Sequence, residues 1–498
     1  MKFRIAYLAC TLFAVSTASA QTLLDGVRVS RDPLAIGSRS IGMGGAMTAA
    51  ANDYTALASN PAALTLLEFN EFAIGFWNGA NNSNATFLGT NSEDDISNYA
   101  LNTIGLGSPM ETKRGHLAFG LSVDRVIDYT RSYKFKAVNP SSSFFNTRNF
   151  LQDPGNRGGD YLQDLDDNNL AWNLYLTNNI DSNNQSLTTP FNGGLEQSGT
   201  ITEEGGLNAF RIGGGIDIAE NVAIGATANL YFGGYDYRRV YKEADVNGIF
   251  SPTDSNPPAG FKSAEIIDTR STSQSGFGLM LGLLASPYEF VKFGLTIETP
   301  NWLSFDDEFR RGGKALFNFN NEKKSADNQK LESATVNSYS ITTPVRFGAG
   351  VAFTEAGATV SGNISFTDMS QLRFTNSDVD ISDLNDRVRD ELGQVISWKV
   401  GAEYVFVPAG LMIRGGFGIE PSAYKADPSE YDTKSWSAGL GVLLSKSAIL
   451  EFAYKHSSGV TDHGIYNDFT PNGNSISANI DRDEITRQEF SVSFGYRF

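Results

Sequence analysis

The C-terminal stretch constrains this chain more than any other. Phe490, Val492, Phe494, Tyr496 and Phe498 fall on one side of a strand, while Glu489, Ser491, Ser493, Gly495 and Arg497 fall on the other. Successive side chains of a strand point to opposite faces. One face is therefore greasy and aromatic, and the strand needs hydrocarbon on that side with water or polar filling on the other. A lipid-spanning β-barrel strand meets both demands.

The opposite end of the chain predicts export. Lys2 and Arg4 precede an apolar run from Ile5 to Val15, and Ala18-Ser-Ala20 supplies small residues for cleavage, so residues 1–20 read as a signal peptide. The run is too short to span a bilayer, and no later segment offers about 20 uninterrupted apolar residues. Any membrane crossing is then by strands, because only helices and closed barrels satisfy their backbone in lipid. Cys10, the one cysteine, sits in Leu-Ala-Cys like a lipoprotein site, but the apolar run continues past it. Cleavage after Ala20 removes it, leaving no disulfide framework or thiol chemistry. Loss of Lys2 and Arg4 takes the formal charge from -17 to about -19, an acidity that argues against a nucleic-acid partner.

Alternation recurs along the chain. Val222, Ile224, Ala226, Ala228, Leu230 and Phe232 oppose Ala223, Gly225, Thr227, Asn229 and Tyr231; Ile396, Trp398, Val400, Ala402, Tyr404 and Phe406 oppose a face that carries Lys399 and Glu403. Strand windows fall at 69–79, 98–107, 115–125, 207–218, 221–236, 266–284, 289–300, 333–353, 357–370, 393–406, 409–419, 433–445, 448–458 and 485–498. Tight turns such as Ala219-Glu-Asn221, Ser286-Pro-Tyr288 and Ser445-Lys-Ser447 alternate with long stretches at 80–97, 126–206, 237–265, 301–332, 371–392, 420–432 and 459–484. The pattern predicts an all-β fold, a 14-stranded antiparallel transmembrane barrel over residues 68–498 with its short side periplasmic. An even count returns the C-terminus to the periplasm.

The long stretches are rich in Asn, Asp, Ser, Gly and Pro, as at Asn156-Arg-Gly-Gly-Asp160, and read as solvated loops. Leu170 to Leu176 leaves room for hidden strand structure. Asp164, Asp166 and Asn168 have calcium-loop spacing, but the sixth-position glycine and the terminal Glu are missing, so no metal site is assigned. Residues 21–67 differ in character. Gly42, Gly44 and Gly45 cluster among Ala, Ser and Met, and Asp53 is placed as N-cap of a short helix ending before Pro61. Small residues permit close packing, so this segment reads as a periplasmic or lumenal plug.

Ser40-Ile-Gly-Met-Gly-Gly-Ala46, Ala51-Asn-Asp53 and Ser59-Asn-Pro-Ala-Ala-Leu64 together resemble the amino-terminal hatch of the FadL/TodX family of outer-membrane transporters for hydrophobic compounds, and Ile297-Glu-Thr-Pro-Asn-Trp302 also looks familial. The resemblance implies a bacterial outer-membrane location, no cofactor, and hatch or gating roles for Gly42, Gly44, Gly45, Asn60, Pro61 and Ala62. It implies capture of a hydrophobic ligand such as a long-chain fatty acid at the outer loops, transfer to an interior apolar pocket, hatch-gated release and lateral escape through the wall. Burial of each methylene at about 0.8 kcal/mol can drive such movement without an energy source.

Candidate capture residues are Phe261, Trp302, Leu303, Phe305 and Phe309, with Arg310 and Arg311 to meet a carboxylate; Leu23 and Leu24 are candidate release triggers. The family's capture groove is built mainly by the third and fourth loops, whereas the longest loop here is the second. Phe494, Tyr496 and Phe498 resemble the terminal signal read by the barrel-assembly machinery. Expected partners are outer-membrane lipid and lipopolysaccharide, a hydrophobic small molecule and that machinery, around a monomer. An alternative is a barrel of the same shape acting as a protein-secretion or surface-attachment accessory. Catalysis would have to rest on His116, His456 and His463, of which His456-Ser457 and Asp462-His463 form the only suggestive pairs. A general diffusion porin is disfavoured because a plugged lumen passes no bulk solute.

Overall fold

The computed structural model describes residues 22–113, 115–151, 169–177, 189–251, 259–319, 322–328, 335–377, 380–470 and 473–498. Its wall begins with β1 (Glu71–Phe87), β2 (Thr90–Glu111), β3 (His116–Asp128), β4 (Arg131–Asn139), β5 (Leu195–Ala219), β6 (Val222–Ala244) and β7 (Phe261–Tyr288). It continues through β8 (Val291–Glu298), β9 (Trp302–Phe319), β10 (Glu322–Asn328), β11 (Thr335–Thr342), β12 (Arg346–Glu355), β13 (Ala358–Asp368) and β14 (Arg373–Thr375). The last strands are β15 (Gln394–Phe406), β16 (Leu411–Glu420), β17 (Thr433–Leu443), β18 (Ala448–Phe469) and β19 (Ser475–Arg497). Several segments are halves of one interrupted strand: β3 with β4, β8 with β9, β11 with β12, and β13 with β14. β10 only folds back on β9. The result is a closed, antiparallel, 14-stranded barrel, in which β1 pairs β2 on one side and β19 on the other, Glu71 opposite Arg497. This architecture places the chain in the bacterial outer membrane as a multi-pass β-barrel.

The lipid-facing belt is the part the sequence announces. Phe490, Val492, Phe494, Tyr496 and Phe498 are all exposed on the outer face. Phe210, Leu230 and Phe277 stand side by side as the belt's upper edge on β5, β6 and β7. Above them the outer face turns polar, at Asp236 and Arg238 on β6 and at Ser275, Ser273 and Ser271 on β7. Strands of 25, 23 and 28 residues for β5, β6 and β7 far exceed the 9–11 or so needed to cross a bilayer, so the barrel continues as a tall wall outside the membrane.

That wall corrects the loop assignments. The stretch 80–97 is not a loop: β1 and β2 run through it and turn at Leu88 and Gly89, both with positive φ. Most of 301–332 and much of 237–265 and 459–484 are likewise strand. Above the belt both strand faces contact water or polar groups, so extended segments rich in Asn, Ser and Asp lose the alternation that marks a lipid-facing strand. Residues 170–173 form a short helix rather than a strand. The calcium-like Asp164, Asp166 and Asn168, and the 156–160 turn, lie outside the described residues.

Candidate functional site

Residues 22–67 fill the lumen. Three short helices, α1 (Leu23–Ser30), α2 (Gly37–Gly42) and α3 (Ala56–Ser59), precede a 3-10 turn over Pro61–Leu66. Met43, Ala46, Met47, Ala56, Leu57, Asn60, Ala62, Ala63 and Leu64 are fully buried. Gly44 and Gly45 take φ of +65° and +79°, and Gly44 lies so close to Gly416 of β16 that a side chain at either position would strike backbone. Asn60 ties this hatch to the wall: its Nδ2 donates to the Thr48 carbonyl at 2.9 Å and to the Leu283 carbonyl of β7 at 3.1 Å. Its Oδ1 accepts from the Ala62 N–H at 3.1 Å and starts the 3-10 turn with Pro61 at its first position. Asp53 does not cap α3. Thr55 is the capping residue, and Asp53 accepts its N–H at 3.0 Å while pairing with Arg39 at 3.1 Å.

Charge pairs hold the hatch at two heights. In the lower tier Arg39 forks onto Glu403 at 3.0 and 3.1 Å, and Glu403 also pairs with Arg414. Asp32 meets Lys399 at 2.9 Å and Arg346 at 3.6 Å. Burial opposes ionisation of Asp32, but Lys399 and Arg346 outweigh it and hold its carboxyl well below the usual carboxylate range. In the upper tier Arg28 of α1 pairs with Asp25 and with Glu203 of β5, both at 3.2 Å, and Asp25 pairs with Arg270 of β7 at 3.1 Å. The Arg28 guanidinium lies 4.3 Å from the Tyr235 ring centroid. Arg270 stands roughly seven residues beyond the belt-edge Phe277, about 20 Å along the strand. The N-terminal arm therefore lies in the outer half of the barrel, not its periplasmic end.

There the arm fills an apolar bay. Leu23, Val27 and Val29 pack among Val126, Tyr129, Leu207, Tyr235, Phe305 and Phe374. Below it, a cavity of about 130 Å³ between arm and wall is lined by the charged Asp32, Arg211, Glu298, Arg346 and Lys399 together with apolar Leu34, Ile36, Met47, Met280 and Ile364. The lining is thus mixed, ion pairs standing beside hydrocarbon.

One side of the wall is interrupted. The β2–β3 ladder stops at Thr103 opposite Asp124, and β4 pairs only with β5. Among the described residues, no ladder joins 90–102 of β2 to β3 or β4. The interruption sits at the upper edge of the belt, marked by the exposed Tyr99 and Leu101. β4 instead turns inward, stacking Tyr133 on His463 at 4.1 Å and Phe135 against Phe87 at 5.1 Å. Side chains alone cross the seam: Asp94 accepts from Ser132 and Lys134, and Asn98 donates to Asp128 at 3.0 Å.

Among the described residues, aromatics of the second loop pack with Tyr241 of β6 and Phe261 of β7 at the outer end of the lumen. Phe144, Phe145, Phe150, Phe191, Tyr241 and Phe261 pack as one cluster with centroids 4.7 to 6.5 Å apart. Glu243 anchors it, accepting from Ser143 Oγ at 2.6 Å, the Phe144 N–H at 2.8 Å and Tyr241 OH at 2.6 Å.

The capture candidates do not converge. Phe261 is buried in this cap, Leu303 and Phe305 line the arm's bay, and Trp302 faces outward, stacked on Phe277 at 4.8 Å. Arg310 pairs with Glu308 and Arg311 with Asp268 at 2.6 Å, while Phe309 neighbours Arg311. Leu23 is buried in the bay and Leu24 half-buried. His456 and Ser457 occupy opposite faces of β18, and His463 Nε2 bonds Asp483 at 2.9 Å rather than Asp462. His116 bonds Asp217 at the periplasmic rim. Sequence reasoning missed Arg28, Glu203, Arg131 and the seam, since pairs so far apart in the chain leave no local pattern.

The family profile described as BamG matches residues 179–455, more than half of the chain. No curated protein matches the sequence. Among solved structures, a Pseudomonas aeruginosa FadL homologue superposes with a TM-score of 0.57 and 12% identity over 94% of this chain and 100% of that one. The Pseudomonas putida toluene transporter TodX gives 0.51 and 12% over 94% and 100%. The monoaromatic hydrocarbon channel CymD gives 0.50 and 12% over 93% and 97%. At these identities the likeness establishes the fold, which is the one the hatch motifs led us to expect. The chain has the FadL-type fold and belongs to the BamG family.

Proposed function

We propose that this protein is an outer-membrane channel for small hydrophobic compounds, loaded from the side and gated by its hatch. The observation that carries the reading is the interrupted wall between β2 and β4 at the upper edge of the lipid belt. Among the described residues the hatch and the aromatic cap occupy the axis, while at the seam side-chain bonds alone join the strands, so we take the seam as the entry route for an apolar solute. Behind it lies the apolar bay, now filled by Leu23, Val27 and Val29; a ligand entering there competes with the arm, in keeping with a release role for Leu23 and Leu24. The fold's neighbours include a toluene transporter and a monoaromatic hydrocarbon channel, so aromatic hydrocarbons stand beside long-chain fatty acids as candidate cargo.

The test is uptake of labelled toluene and labelled oleate by cells lacking their own hydrophobe transporters. Cells making this protein should exceed the empty vector for at least one compound, and Asn60→Ala/Pro61→Ala should reduce the gain at equal surface level. Uptake of neither, with the barrel assembled, sinks the transport reading. A secretion or surface-attachment role is the second reading, favoured by the firmly packed cap, which presents a folded outer surface. A protein partner lost on replacing the cap would support it.

A further inference from the structure

The cap is pinned by a carboxyl that has no cation. Glu243 of β6 is fully buried. Its Oε1 accepts the Phe144 N–H at 2.8 Å, Tyr241 OH at 2.6 Å and Gln197 Nε2 of β5 at 3.0 Å, and its Oε2 accepts Ser143 Oγ at 2.6 Å. Gln197 also donates to Tyr466 OH of β18 at 2.9 Å, so the second loop and three strands meet around this one group. Among the described residues, what bears on it is hydroxyls, an amide and a backbone N–H. Arg239 of β6 and Arg311 of β9 reach the same cluster, each over the Phe144 ring, but both pair with Asp268 of β7. Asp245, just past β6, and Asp468 of β18 are buried and accept backbone N–H groups. Burial pushes the hydroxyls of Tyr241 and Tyr466 up, so both stay protonated donors.

Burial outweighs the four donors and pushes the Glu243 carboxyl up from its ordinary value. Three of the bonds end on Oε1, so a proton on Oε2 leaves them intact and reverses only the fourth, with Ser143 Oγ accepting. Ionisation keeps the bonds but leaves a charge without a counter-ion beside Phe144, Phe145, Phe150 and Phe191. We infer that Glu243 makes the cap a pH-sensitive fastening: protonated, it holds the second loop to β5 and β6, and ionised, it loosens that hold. A carboxyl raised on folding contributes fully below the ordinary carboxylate range, and the contribution is lost as pH rises through the folded value. Acid therefore tightens the cap, the opposite of its effect on Asp32 in the arm. The fastening is independent of what the barrel carries and is tested without a ligand.

The predicted mature chain contains no cysteine, so Ser141→Cys, at an exposed position beside the cap, carries a unique nitroxide label. Its mobility is read by continuous-wave electron paramagnetic resonance on the full mature chain in nanodiscs, from about pH 5 to about pH 9, upward of the ordinary carboxylate range. The label should be immobile at the acid end, with a mobile component growing as pH rises. Glu243→Gln keeps an acceptor and carries no charge, and should hold the label immobile throughout. Tyr241→Phe takes one donor from the anion and should move the transition upward by roughly one pH unit. Heat-modifiable migration on gels verifies that each variant keeps its barrel. A flat profile in the parent chain would overturn the inference. So would a pH response that survives in Glu243→Gln, mobility that grows toward acid, or a transition that moves downward in Tyr241→Phe.

Discussion

Asn60 and Asp32 show how single side chains hold the hatch. Asn60 spans hatch and wall with two donated bonds, and Asn60→Ala removes both together with the acceptor of the Ala62 N–H, at a cost of about 1–3 kcal/mol. Amide exchange over residues 46–66 should then rise while the barrel resists detergent unchanged; equal exchange would show that Asn60 does not anchor. Asp32 carries a pH prediction. Its folded pKa is depressed by Lys399 and Arg346, so its contribution is present above the ordinary carboxylate range and lost only as pH falls through the lower folded value. Proteolytic protection of the arm should survive at pH 4 and fail in stronger acid, and Asp32→Asn should be weaker already at neutral pH. Asn60-Pro61 was legible because a side-chain acceptor followed by Pro is a local turn device. Glu203 was not, since its partners Arg28 and Arg131 come from distant parts of the chain and only the fold brings them together.

Among the elements, strands over the belt were legible and their upper halves were not. Val222 to Phe232 alternates because lipid and lumen demand opposite chemistry, whereas Tyr235 to Ala244 is strand with polar side chains on both faces. The cap was invisible for a different reason: Phe144, Phe145 and Phe191 sit in a sequence dominated by Asn and Ser, and only Glu243 and the surrounding strands gather them. Phe145→Ala should loosen that cluster by about 3–5 kcal/mol, measured as faster protease cleavage of the second loop with the wall intact. The hatch elements depend on small residues at their contacts. Gly416→Val drives a side chain into Gly44, and should release residues 37–66 to exchange and cleavage; a hatch still protected in this variant would mean that the wall yields instead.

The whole molecule is a barrel with a hatch in its lumen and an aromatic cap above, and its wall carries a seam between β2 and β4. In planar bilayers it should pass little ion current, and deletion of residues 37–66 should raise conductance severalfold; large conductance in the full chain would contradict the packed lumen. A further consequence follows from the pairing of β1 with β19. The strands that complete the cylinder are the first and last of the wall, while the hatch comes earlier in the chain and reaches the outer half of the lumen. The ion pairs from Arg39 to Glu403 and from Arg28 to Glu203 lie deep in the lumen, which favours a hatch in position before the two wall ends meet. Assembly of this protein is then ordered in time: the interior is laid down first, and the final strand seals it in.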